Sequence, residues 1–166
     1  MGIEELANCM IILKSSNYFR IIFYVIFCIV ITSCSSSSLK SQEKAANYNA
    51  QLGLAYLQQG DIKLAKTKLL LALQQSPSST PLILDSMAYF LEVTGENKLA
   101  EAYYLKAIKY FPKNGAAQNN YGVFLCRHKR YKESLHHFSL AVKDNKYLNT
   151  AQAYENARLC ALKIHK

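Results

Sequence analysis

The side chains in this 166-residue chain that could do chemistry are few. They are Cys126 and Cys160, the neighbours His136 and His137, His128 beside Lys129-Arg130, and Cys34 near the N-terminus. Adjacent residues on a helix point about 100° apart, so His136 and His137 are poorly placed to share a metal ion. A Cys–His nucleophile pair is formally open to Cys126, but such pairs are defined by geometry that spacing does not supply. No Gly-rich phosphate loop, Gly-x-Ser-x-Gly elbow or His-Glu-x-x-His pattern occurs. The expectation is a chain that is not an enzyme, with no cofactor, no metal site and no small-molecule substrate.

The recurring residues point instead to packing. Leu52, Gly53, Tyr56, Ala65, Leu69, Ala72 and Pro77 are followed by Met87, Ala88, Leu91, Ala100, Tyr104, Ala107 and Pro112. Tyr121, Gly122, Leu125, Ser134, Phe138, Ala141 and Lys146 repeat the pattern a third time. A period of about 34 residues with small residues at fixed offsets is the signature of a tetratricopeptide repeat, a helix–turn–helix unit that buries its apolar face by stacking on its own copies. The fold class is therefore all-α, a solenoid of three units (46–79, 81–114 and 115–148) closed by a capping helix over 151–166. Gln59-Gly60-Asp61 and Thr94-Gly95-Glu96 fall between paired helices, where glycine supplies a left-handed turn residue. Lys129 takes that place in the third unit, at a cost near 1 kcal/mol. Pro77 and Pro112 end second helices, and Pro81 suits the first turn of the next.

Within each first helix some positions face a concave groove. Equating Gly53, Ala88 and Gly122 gives Asn47, Ala50, Leu54, Leu57 and Gln58 in the first unit and Leu82, Asp85, Tyr89 and Glu92 in the second. Asn119, Val123 and Arg127 are the third set. Leu54, Leu57, Leu82, Tyr89 and Val123 predict an apolar groove, a seat for a partner's helix or extended peptide; packing against a neighbouring helix is the other reading of each.

The N-terminal segment is of another kind. Lys14 and Arg20 precede the apolar run Ile21 to Ile31, which leads into Thr32-Ser33-Cys34. A basic region, a short apolar run and small residues make a secretory signal. The run is shorter than the roughly 20 residues of a membrane span. With its final cysteine, the segment resembles a bacterial lipoprotein signal, which implies a signal peptide over 1–33 and acylation of Cys34. The absence of aspartate after Cys34 implies, by the same resemblance, sorting to the outer membrane. Residues 34–45, opening Cys34-Ser35-Ser36-Ser37-Ser38, read as a structureless tether.

The net charge is +9, and the leader's charges cancel within it. The lysines are scattered through Lys63, Lys98, Lys113, Lys132 and Lys163 rather than gathered in one stripe, so no nucleic-acid partner is expected. Solubility, anionic headgroups or an acidic partner account for the charge. If Cys9 and Cys28 leave with the leader and Cys34 carries lipid, Cys126 and Cys160 remain as an even pair in an exported protein. Adjacent stacked helices would allow them to join; two buried free thiols are the alternative.

The third unit is more specific. Asn119-Asn120-Tyr121-Gly122-Val123-Phe124-Leu125-Cys126, Arg130-Tyr131-Lys132-Glu133-Ser134, Ala153-Tyr154-Glu155-Asn156-Ala157 and Leu159-Cys160-Ala161-Leu162 resemble the pilotin family of type IV pilus biogenesis lipoproteins. That resemblance implies a lipid-anchored protein on the periplasmic face of the outer membrane that assists localisation or assembly of the outer-membrane secretin. It also implies that Cys126 and Cys160 are the family's paired cysteines. A general periplasmic scaffold acting on a cell-wall enzyme or outer-membrane assembly complex is the alternative. Arg158 departs from the family's pattern by replacing a glycine, and is expected to strain close helix packing there.

Overall fold

A computed structural model describes residues 18, 20–21, 35–76 and 79–164. The expected signal peptide, Cys34, Pro77 and the last two residues of the expected capping helix lie outside them. The chain divides into two compact units, Met1–Gln42 and Glu43–Lys166, and the account below concerns the second.

The described residues form seven main helices: α1 (Ser35–Gln58), α2 (Ile62–Gln75), α3 (Pro81–Val93), α4 (Asn97–Tyr110), α5 (Gly115–Arg127), α6 (Tyr131–Ala141) and α7 (Thr150–Ala161). α3 pairs with α4 and α5 with α6, and α7 packs on α5 and α6; α1 pairs with α2, Gly53 lying against Leu69 and Asn49 donating to Gln75 at 2.7 Å. Repeat periodicity thus yields the all-α tetratricopeptide solenoid. The tether is a difference, because α1 already begins at Ser35. Lys40, Gln42, Glu43, Lys44, Ala45 and Ala46 are strong helix formers, and a helix once nucleated extends at little cost. The capping helix is shorter than expected; Ala161 is its last residue, and turn follows through Ile164.

Each turn between paired helices uses the same device. Gly60, Gly95 and Lys129 have φ of 79°, 86° and 63°. The following amides of Asp61, Glu96 and Arg130 donate back to the carbonyls of Tyr56, Leu91 and Leu125 at 2.9, 2.8 and 2.9 Å. This left-handed closure satisfies carbonyls that would otherwise end the helix unpaired. Side chains fix the other ends: Asp61, Thr80 and Asn114 each accept from an amide in the first turn of α2, α3 and α5.

Small residues recur where helices cross. Ala65, Ala100 and Ser134, and then Ala72, Ala107 and Ala141, are all fully buried. A methyl group on Gly53 would sit 2.6 Å from Leu69, and one on Gly122 would sit 2.8 Å from the Phe138 ring. Glycine is therefore the only residue that lets those pairs close at the observed distance. Ser134 is buried without penalty because its hydroxyl donates to the Gly122 carbonyl at 2.7 Å. Tyr104, Tyr121 and Phe124 form an aromatic cluster between the second and third pairs, with ring centroids 5.2–6.1 Å apart.

Cys126 on α5 and Cys160 on α7 are bonded, with Cα atoms 5.9 Å apart. The expected strain at Arg158 does not arise. Its side chain lies on the exposed side of α7 and pairs with Glu155 at 2.7 Å, so no helix approaches it closely. Among the described residues no helix is long and apolar enough to cross a membrane.

Candidate protein-binding groove

The first helices of the stack carry one face each toward a shared groove of about 860 Å³. On α1 the wall is Glu43, Asn47, Gln51, Leu54 and Gln58. On α3 it is Leu82, Asp85, Ser86 and Tyr89, and on α5 it is Ala116, Asn119, Asn120, Val123 and Arg127. Spacings of three and four residues are those of a single helical face. Gln152 and Asn156 of α7 extend the wall beyond the third pair.

Nine expected positions stand on it: Asn47, Leu54, Gln58, Leu82, Asp85, Tyr89, Asn119, Val123 and Arg127. Leu57 does not. It is 7 % exposed and packs into the main core, as does the fully buried Ala50. The groove face of α1 runs through residues 47, 51, 54 and 58, so positions 50 and 57 turn inward. Glu92 sits outside the groove lining, its side chain mostly buried. Tyr89 and Leu82 serve twice, since both also pack on the edge of the core.

The groove is less apolar than expected. Gln51, Asn120, Gln152 and Asn156 were not among the sequence candidates, and each adds a side-chain amide. Gln51 and Asn120 were legible: they follow from extending the same face by one helical step. Gln152 and Asn156 required knowing that α7 continues the wall rather than only covering it.

Polar side chains join successive first helices along this surface. The Thr80 hydroxyl donates to Asn47 at 2.6 Å, Asn120 donates to Asp85 at 2.9 Å, and Asn156 donates to Asn119 at 3.0 Å. Beyond Val123, Arg127 pairs with Glu92 at 3.2 Å and lies 5.9 Å from the centre of the Tyr89 ring. Tyr104 donates its hydroxyl to the same Glu92 carboxylate at 3.2 Å.

Asp85 is the unusual member. It is 7 % exposed, and burial pushes its carboxyl up to about 7, an effect the Asn120 hydrogen bond partly opposes. Its Oδ1 and the Ser86 hydroxyl are buried without a hydrogen-bond partner among the described residues. Burial also raises Tyr104, helped by the charges of Glu92 and Asp85.

Among the described residues no group of three His, Cys, Asp or Glu side chains could hold a metal ion. His137 Nδ1 lies 2.7 Å from Gln118 Oε1 and its ring meets Tyr121 edge-on, so it is held in packing. What the groove offers is side-chain amides able to donate and accept beside apolar ledges, suited to holding polypeptide.

Residues 91–149 match the tetratricopeptide repeat family. The chain is 33 % identical over 144 residues to an uncharacterized protein of Haemophilus influenzae, covering 86 % of this chain and 80 % of that one. It is 34 % identical over 139 residues to the type IV pilus assembly protein PilF of Pseudomonas aeruginosa, covering 82 % of this chain and 55 % of PilF. The solved PilF structure superposes with a TM-score of 0.69 at 34 % identity over 76 % of this chain and 56 % of that one. PilW, described as a widely conserved type IV pilus biogenesis factor, superposes at 0.66 with 28 % identity over 72 % of this chain and 55 % of that one. The chain thus spans a little over half the length of PilF and PilW. Its repeats, its stacked helix pairs and these similarities identify it as a tetratricopeptide-repeat protein, homologous to PilF and structurally similar to PilF and PilW.

Proposed function

We propose that this chain is a binding module of the type IV pilus assembly machinery, and that its groove holds a segment of the outer-membrane secretin. The observation that carries this reading is the continuous wall from Glu43 to Asn156, in a chain homologous to a pilus assembly protein. Its mixed lining favours an extended segment over an apolar helix. Side-chain amides can pair with a partner's main chain, while Leu54, Leu82 and Val123 accept its apolar side chains. In this reading Cys34 is acylated and holds the protein on the periplasmic face of the outer membrane, where secretin assembly takes place.

Leu54 tests the groove, because it is only half buried and is not part of the main core. Leu54→Arg places a long charged side chain in the partner's path without emptying packed space. The variant is expected to lose capture of the purified secretin while keeping its circular dichroism and melting temperature. Normal secretin capture and assembly would overturn the proposal. The anchor has its own test. Cys34→Ser is expected to release the protein from outer-membrane fractions or leave its leader uncleaved, and normal processing with normal fractionation would overturn that part.

A further inference from the structure

The lysines are segregated by helix rather than scattered. α3 and α5 contain none, and α1 contains none after Lys44. The second helix of each pair, on the outer side of the stack, carries these charges: Lys63, Lys66 and Lys68 on α2, Lys98, Lys106 and Lys109 on α4, and Lys132 on α6, with the acidic Asp61 and Glu96 in the turns that precede α2 and α4. The only two acidic residues within α2, α4 and α6, Glu101 and Glu133, are both engaged by Arg130. Among the described residues every ion pair uses arginine, so no lysine charge is neutralised by one.

The repeat also puts these charges in register. Lys63, Lys98 and Lys132 each occupy the second residue of their outer helix, and all three are exposed. Seven residues, about two turns, separate Lys63 from Leu70 and Lys98 from Leu105, so each lysine shares a face with a leucine. Leu70 and Leu105 are 50 % and 44 % exposed. Lys109 continues that face on α4.

We propose that the outer face of α2, α4 and α6 lies on an anionic lipid surface, with lysines at the headgroups and Leu70 and Leu105 entering the acyl boundary. Charge alone would suit any polyanion. The exposed leucines decide for lipid, because a nucleic acid or an acidic chain has no use for apolar side chains between the cations, whereas an interfacial helix face requires both. On α6, Ser139 stands at the position of Leu70 and Leu105, so insertion belongs to the first two pairs and the third contributes charge.

The test uses a chain beginning at Ser35, which retains the seven helices and all three core clusters and carries no acyl chain. Sedimentation with vesicles of phosphatidylcholine alone is compared with vesicles containing phosphatidylglycerol. Binding is expected only to the second. Lys63→Gln, Lys98→Gln and Lys132→Gln together are expected to weaken it about a hundredfold, at about a factor of five for each lysine near the surface. Leu70→Ser with Leu105→Ser is expected to weaken it about tenfold at unchanged charge. All five positions are exposed, and circular dichroism checks that the variants remain helical. Failure to bind phosphatidylglycerol vesicles, equal binding to phosphatidylcholine, or unchanged binding by the lysine variant would overturn the proposal. Loss with the lysine variant but none with the leucine variant would also overturn it, leaving a general polyanion face.

Discussion

Asn120 donates to Asp85 Oδ2 at 2.9 Å, from α5 to α3, and this is the one side-chain hydrogen bond of the Asp85 carboxyl among the described residues. Both sides of that contact line the groove, so one pair joins the second repeat to the third and shapes the surface that a partner would meet.

The protonation of Asp85 makes the fold sensitive to pH. Its carboxyl is raised from 3.8 to about 7 in the folded state, so the unfolded chain loses this proton first. The stability associated with the neutral form is fully present below about pH 4 and is lost as pH rises toward about 7. Tyr104 lines the same groove, while Arg127 on α5 is engaged by Glu92. Asp85→Asn is expected to leave stability near pH 4 unchanged and to raise it by about 4 kcal/mol at pH 8. Urea melts at the two pH values check this; equal effects at both would contradict it.

Lys129 adopts φ 63° where the two preceding repeats have glycine. Its side chain is exposed, so the strain is in the backbone alone. Lys129→Gly is expected to stabilise the protein by about 0.5–1 kcal/mol, a gain of a few degrees in melting temperature.

Gly122 is a position that tolerates no enlargement. Its added methyl would meet the Phe138 ring at 2.8 Å, and Phe138 is itself fully buried. Gly122→Ala is expected to cost about 1–3 kcal/mol, read as a lower denaturation midpoint.

Leu57 and Leu54 separate core from groove. Leu57→Ala removes a side chain packed in the main core and is expected to cost about 2–5 kcal/mol. Leu54→Ala, at the half-buried groove wall, is expected to cost much less stability and to act on partner binding. A similar loss of melting temperature in both would show that the wall is core.

The Cys126–Cys160 bond encloses a separation of 34 residues, which the chain-entropy account values at about 3–4 kcal/mol. Mass spectrometry of alkylated, unreduced protein is expected to find neither cysteine alkylated, and quantitative alkylation of both would contradict the bond. Cys126→Ala is expected to loosen α7 before the other helices, since α7 has no later helix among those described to hold it.

The stack was legible because its rules are periodic. Ala65, Ala100 and Ser134 recur at one crossing, and the turn at Lys129 was recognised from Gly60 and Gly95. The groove followed the same logic, and the errors came from phase. Leu57 lies three residues after Leu54, close enough to share an apolar pattern but rotated enough to enter the core. Asn120 lay one helical step along a face already read, whereas Asn156 went unread because nothing in the sequence marks α7 as a continuation of the wall. The start of α1 was missed for a different reason. A serine run looks structureless in composition, yet the helix formers after it carry the helix back to Ser35.

A linear stack opens from its ends, because an interior pair is held from both sides and a terminal pair from one. Within the Glu43–Lys166 unit the two ends are not equivalent, since a covalent bond ties α7 to α5. Among the described helices the stack therefore resembles a zipper stitched at α7, with the α1–α2 pair as its unstitched tab. The groove wall begins on that tab, at Glu43, Asn47, Gln51 and Leu54. A segment seated in the groove and reaching α5 would tie the tab to the stitched end, so occupancy would be felt most strongly in α1 and α2 as slowed exchange of their backbone amides.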